Sequence, residues 1–214
     1  MGKTIIYKMM KNLNIAQINK DLQDKLPSEI IAWALSIAKS PLVTTNFRPY
    51  EVAILNACIE VEQDLKVIWC DTGYNTPQTY KHANELIDRL DLNVHLYVPK
   101  QTAAHRDATM GIPQIEDPMH KVFTEQVKLE PFNRAMQEQN PDVWFTNLRK
   151  GQTAFRSSID IVSMSKDGLL KVSPFYHWTD EQLDAYLVEK KLPNEFKYFD
   201  PTKVLENREC GLHS

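Results

Sequence analysis

Short apolar runs separated by longer amphipathic stretches constrain this chain more than any other feature. PLVTTN (41–46), LKVIWC (65–70), NVHLYVP (93–99) and DVWFTN (142–147) are the runs, and PYEVAILNACIEVEQ and TPQTYKHANELIDRLD carry helical periodicity between them. LKVIWC is almost continuously apolar, so a strand built from it needs cover on both faces, the condition met by parallel strands in a layered α/β fold. The expected class is therefore α/β, an open and mostly parallel sheet flanked by helices.

The remaining segments fill in that plan. PSEIIAWALSIAKS reads as a helix with Ser28 as N-cap, ending near Ser40. A mostly helical stretch over about 101–140 is interrupted at Pro113, Pro118 and Pro131, and IDIVSM and LLKVSPF around Lys166-Asp167-Gly168 form a hairpin or an edge pair. WTDEQLDAYLVEKK is a last helix capped by Thr179. With 214 residues and no Gly/Ser-rich linker, one globular domain is expected. It divides into an N-terminal helical segment (1–40), an α/β domain (41–192) and a mobile C-terminal tail (193–214).

Composition excludes more than it assigns. Hydrophobic residues are 43% and charged residues 25%, which fits neither a disordered chain nor a membrane protein. No apolar run approaches the roughly 20 residues of a membrane span, and the N-terminus lacks the apolar core of a signal peptide, so the expected location is cytoplasmic. A net charge of -3 gives no general attraction to nucleic acid, and an anionic substrate would have to meet a local basic cluster. Three cysteines, Cys58, Cys70 and Cys210, without a C-x-x-C pair, speak against a disulfide framework and a metal site.

Ligands of such sheets bind beyond the carboxyl ends of the strands. Four segments should meet there: TTNFRPY, CDTGYNTP, TNLRKGQTAFR and, if it folds back, the terminal ECGLH. Thr44 and Thr45 with the adjoining backbone N–H groups either cradle an anion or make an ordinary capped turn. Asp71 and Thr72 end a buried strand, and Gly73 allows an awkward backbone angle or a close ligand approach. Arg149, Lys150 and Arg156 are natural partners of phosphate or sulfate, or else a solvated charge run, and Lys128 could join them. Cys210, four residues from the end of the sequence, has Arg208 and His213 beside it as activators of a thiolate, with Glu209 acting the other way. Cys58 and Cys70 read as small core residues.

VTTNF, DTGYNTPQTY, WFTNLRKGQTAFR and the terminal RECGLH, with LKVSPFYHWTDEQLDAYL between the last two, stand in the order found in the 3′-phosphoadenylyl sulfate (PAPS) reductases and the related adenylyl sulfate (APS) reductases. From about residue 40 to 214 the chain resembles that family. The resemblance implies an adenine nucleotide α-hydrolase-like fold. It also implies a two-step reaction in which Cys210 attacks the sulfur of the sulfonucleotide, expels adenosine 3′,5′-bisphosphate and is left as S-sulfocysteine, from which thioredoxin or glutaredoxin releases sulfite. Thr44, Thr45, Asn46 and Phe47 match the family's modified phosphate loop, and Asp71, Thr72 and Gly73 its DTGY segment. Arg149, Gln152 and Arg156 match its basic segment, and Lys128 a lysine of that site. No bound cofactor, nucleic acid or membrane is implied, and a homodimer is left open.

The chain departs from the pattern at several points. Arg48-Pro49 replaces a small residue after the phosphate-loop Phe, so Arg48 is a candidate for an extra phosphate. His177 stands where an Asp commonly precedes the Trp, and the segment before RECGLH is short. The cysteine pairs that ligate a [4Fe–4S] cluster in typical APS reductases are missing, Phe123 and Thr124 standing in place of the first, and three cysteines cannot supply four thiolates. PAPS is therefore the expected substrate, although Glu51 stands where APS enzymes often carry an acid. The other readings are an ATP-dependent adenylating relative, for which TTNFRPY lacks the pyrophosphate loop, and a sulfonucleotide-binding protein without turnover.

Overall fold

Val67, Ile68 and Trp69 are successive residues of one strand and all three are buried, which is possible only in a sheet covered on both sides. The structure is a computed structural model and describes residues 13–154 and 156–203. Its strands are β1 (Pro41–Thr45), β2 (Lys66–Cys70), β3 (Val94–Tyr97), β4 (Val143–Phe145), β5 (Val162–Met164) and β6 (Leu170–Val172). They form one sheet in the order β3-β2-β1-β4-β6-β5, parallel throughout except for β5, which runs antiparallel to β6 across the Lys166-Asp167-Gly168 turn. The chain moves outward from β1 to β3 and returns to β4 on the other side of β1. The crossovers therefore diverge between the carboxyl ends of β1 and β4, the place where such sheets bind ligands.

Strand parity divides the core. Val43, Val67, Trp69 and Phe145 face the larger cluster, where α2 (Pro27–Ile37), α3 (Glu51–Val61), α4 (Pro77–Leu90) and α8 (Asp180–Glu189) contribute. Leu42, Ile68 and Trp144 face the other side, against Phe132 and Ala135 of α7 (Glu130–Gln139). Helix α3 is buried at every position from Glu51 to Ile59, as a helix between the sheet and three others must be. The N-terminal helix α1 (Ile15–Leu22) is tied to the edge strand by Asn19, whose amide donates to the Val162 carbonyl at 2.9 Å and accepts from its N–H at 2.8 Å.

Three local expectations are corrected. Helix α2 begins at Pro27, so Ser28 lies inside its first turn; the cap residue is Leu26, whose N–H is taken by Glu29 Oε2 at 2.8 Å, and the helix stops at Ile37. Pro131 does not interrupt its helix. After α5 (Ala103–Thr109), the chain is helical from α6 (Met119–Thr124) to Gln139, through a π-helical segment at Glu125–Leu129. Glu130 N–H donates to the Glu125 carbonyl in an i→i−5 bond just before Pro131, which sits in the first turn of α7, where a missing N–H is tolerated. Finally, residues 193–203, assigned to a mobile tail, are packed on the sheet ends through hydrogen bonds to two loops and to the π-helical segment. Their polarity hid the docking, because the groups they pair with are as polar as they are.

Candidate active site

Strand β1 delivers Thr44 and Thr45 to the switch point on opposite faces. Thr44 Oγ1 accepts from Trp144 Nε1 of the neighbouring strand at 3.0 Å. Thr45 Oγ1 donates to Glu51 Oε2 at 2.8 Å and accepts from Phe47 N at 2.9 Å. Glu51 Oε2 also accepts from Asn46 N at 2.8 Å, and Oε1 pairs with Arg48 Nε at 2.8 Å. The loop expected to cradle an external anion thus holds an internal one, a carboxylate in the first turn of α3 where the helix dipole favours negative charge. Phe47 and Tyr50 take left-handed backbone angles (φ 53° and 67°), which cost about 1–2 kcal/mol each outside glycine. Burial of the Phe47 ring, edge-on to Trp69 at 4.9 Å between centroids, offsets that cost.

The second loop is organised by Asp71, which accepts from Gly73 N, Asn75 Nδ2 and Tyr80 OH, each at 2.9 Å. Gly73 has φ 81°, and a Cβ there would sit at an ordinary 3.5 Å from Ala103 Cβ, so the glycine serves the angle. Burial pushes the Tyr80 hydroxyl up to about 12, with the Asp71 charge adding to it. Cys70 is likewise pushed up to about 12 by burial, against the opposing pull of Arg134 and Lys128. It is a thiol at neutral pH.

A strap from 193 to 203 crosses these loops. Asn194 Oδ1 accepts from Tyr50 N at 2.9 Å, the Lys197 carbonyl accepts from Thr76 Oγ1 at 2.6 Å, and Tyr198 OH meets the Asn46 amide at 2.7 Å. The strap ends on Lys128, in the π-helical segment, where Asp200 Oδ2 stands 2.6 Å and Thr202 Oγ1 3.2 Å from the buried ammonium. Burial pushes the Asp200 carboxyl up, but the Lys128 charge and the hydrogen bonds from Lys128 and Thr202 outweigh it and hold it below the usual carboxylate range.

Together these elements enclose an open cleft of about 830 Å³, part of it continuous with solvent. Four cations, Arg48, Lys128, Arg156 and Lys203, and two carboxylates, Glu51 and Asp200, line it beside Trp144 and Phe132. Its excess of cations suits an anion.

Residues 40–198 match the phosphoadenosine phosphosulfate reductase domain family. The chain belongs to that family. It is 34% identical over 185 residues to the phosphoadenosine 5′-phosphosulfate reductase of Synechococcus sp., covering 84% of this chain and 78% of the relative. With that of Aliivibrio salmonicida it shares 32% over 233 residues, 97% of this chain and 91% of the relative. Among solved structures it is similar to the PAPS reductase of Candida auris in its phosphate complex, with a TM-score of 0.74, 25% identity and coverage of 84% and 87%. It is also similar in fold to the U34-tRNA thiolase NcsA of Methanococcus maripaludis, at TM-score 0.56 and 10% identity, covering 84% of this chain and 66% of that one. The fold is the adenine nucleotide α-hydrolase-like one that the sequence resemblance implied.

Of the candidate site residues, the structure brings Thr44, Thr45, Asn46, Thr72, Lys128 and Arg156, together with Arg48, which departs from the family's pattern, to one cleft. Phe47, Asp71, Gly73, Arg149 and Gln152 do not line it. Arg149 lies behind the loop, paired with Asp180 and placed over the Tyr50 ring at 5.5 Å, and Gln152 accepts from Arg149 N and pairs with Arg156. Cys210, Arg208 and His213 lie outside the described residues. The sequence reading missed Asn75, Phe132, Trp144, Tyr198, Asp200 and Lys203. Trp144 carried a signal, since it shares strand parity with Thr44; the strap residues carried none that is local. Among the described residues no helix is long and apolar enough to cross a membrane, and no group of three or more His, Cys, Asp or Glu is arranged for a metal.

Proposed function

We propose that this member of the family is a thiol-dependent PAPS reductase with Cys210 as nucleophile, acting in the reducing cytoplasm. The observation that carries the reading is where the strap ends: it brings Lys203 into the cation-lined cleft, and Cys210 follows seven residues later (210 − 203). Seven extended residues span at most about 25 Å, so the thiol is tethered within reach of anything held by Lys128, Arg156 and Arg48. These cations neutralise the phosphosulfate oxygens, which would otherwise repel an approaching thiolate. The Cys210 thiolate forms a bond to the sulfonate sulfur as the sulfur–oxygen bond to the phosphate breaks, and the leaving nucleotide keeps the electron pair. A dithiol protein of the thioredoxin or glutaredoxin class then supplies two electrons, releases sulfite and becomes a disulfide. Arg208 and His213 lower the Cys210 pKa as the nucleophile is delivered.

The Glu51 carboxylate in the cleft favours one alternative, APS as substrate, because a carboxylate disfavours a further phosphate beside it. Turnover assays distinguish the two. Sulfite release from PAPS that requires reduced thioredoxin or glutaredoxin and is lost in Cys210→Ser supports the proposal. Release from APS alone would reassign the substrate, and release undiminished in Cys210→Ser would overturn the mechanism.

A further inference from the structure

The strap inverts the usual partition of side chains. Phe196 and Phe199 are 63% and 46% exposed, whereas Asp200 and Thr202 are buried. Its side chains and backbone bond to Tyr50, Thr76, Asn46 and Lys128, and beside these polar contacts stand the Phe196–Tyr50 ring contact and the buried Pro201. The two carboxylates of the cleft are held differently. Glu51 is anchored by Thr45, Asn46 and Arg48, all of its own loop and helix. Asp200 faces Lys128 across the cleft, and its other partners, Thr202 N at 3.0 Å and Thr202 Oγ1 at 2.6 Å, travel with the strap. A buried ammonium requires an anion, and Asp200 supplies it at 2.6 Å.

We propose that Asp200 is an exchangeable internal anion: its carboxylate and the oxyanion of the substrate compete for Lys128 Nζ, so that nucleotide binding and release of the 200–203 end of the strap are one step. The inference rests on the reading of the cleft as a sulfonucleotide site. Affinity is then reduced in proportion to the time Asp200 occupies Lys128. In return, substrate arrival frees the end of the strap from which the chain continues to Cys210, which couples the filling of the site to delivery of the nucleophile.

Two measurements on the full chain test this, with adenosine 3′,5′-bisphosphate as the probe. Titration calorimetry should show tighter binding in Asp200→Asn, by about tenfold if Asp200 holds Lys128 nine-tenths of the time. An anchor that merely builds the site would give unchanged or weaker binding, and that result would overturn the exchange. The wild-type protein gives a second test that does not depend on how the variant folds. Amide exchange at Asp200 and Thr202, which are buried in the docked strap, should accelerate on saturation with the probe. Unchanged or slowed exchange would contradict the release. Absence of binding to the wild type of both this probe and adenosine 5′-monophosphate, the nucleotide that APS would leave, would overturn the sulfonucleotide reading itself, and the exchange with it.

Discussion

At the scale of single residues, the loop after β1 is an exception to local preference held in place by packing. Phe47 adopts φ 53° with its ring fully buried, so truncation should cost about 3–5 kcal/mol in urea unfolding. Glycine should be less harmful there than alanine, by roughly 0.5–1 kcal/mol, because only glycine relieves the left-handed strain. Alanine equal to or better than glycine would contradict the strain argument. Glu51 receives three donors, and Glu51→Ala should destabilise by about 2–3 kcal/mol by leaving buried polar groups unmatched. Thiol chemistry separates the cysteines. With its pKa near 12, Cys70 is about one part in ten thousand thiolate at pH 8, so alkylation mapped by peptide mass should leave it unlabelled while Cys210 reacts. Fast labelling of Cys70 would show that its thiol is not held buried.

At the scale of elements, the strands and main helices were legible in the sequence because their signals are local: an apolar run such as VIW, or Thr179 three residues before Gln182 at the start of α8. What was not legible depends on partners distant in sequence. Leu26 has no oxygen with which to cap, and α2 starts there because Pro27 fixes the first turn while Glu29 reaches back. Lys128 gains its burial from a π-helical segment that Pro131 helps to accommodate, and nothing about a lysine in VKLEPF announces that. The strap is legible only as a set of pairs, residue 198 with 46 and 200 with 128. In the same way α1 is tied to the sheet edge by Asn19, beside the packing of Ile15, Ile18 and Leu22 on the core. Asn19→Ala should cost about 1–3 kcal/mol and speed amide exchange at Val162, whose N–H and carbonyl both lose a partner. A variant as stable as the wild type would mean that α1 is held by its apolar face alone.

At the scale of the whole molecule, the parallel sheet sets the switch point between β1 and β4, and the strap closes over it from the other end of the chain. That closure has a pH dependence of known sign. The folded-state pKa of Asp200 lies below its ordinary value of 3.8, so its contribution to stability is complete above about pH 4 and is lost as pH falls through the folded pKa. The stability difference between wild type and Asp200→Asn should therefore stay constant from pH 7 to about 4.5 and shrink below that; a constant difference down to pH 2 would show that the ion pair does not form. The central claim is chemical, that a cleft of fixed cations receives a nucleophile carried on the end of the chain. It is tested most directly by the intact mass of the reduced protein after mixing with PAPS and, separately, APS, in the absence of any dithiol partner. The account predicts a gain of one sulfonate group with PAPS that is absent in Cys210→Ser and discharged by reduced thioredoxin or glutaredoxin. No adduct with either nucleotide, or an adduct that persists in Cys210→Ser, would contradict it.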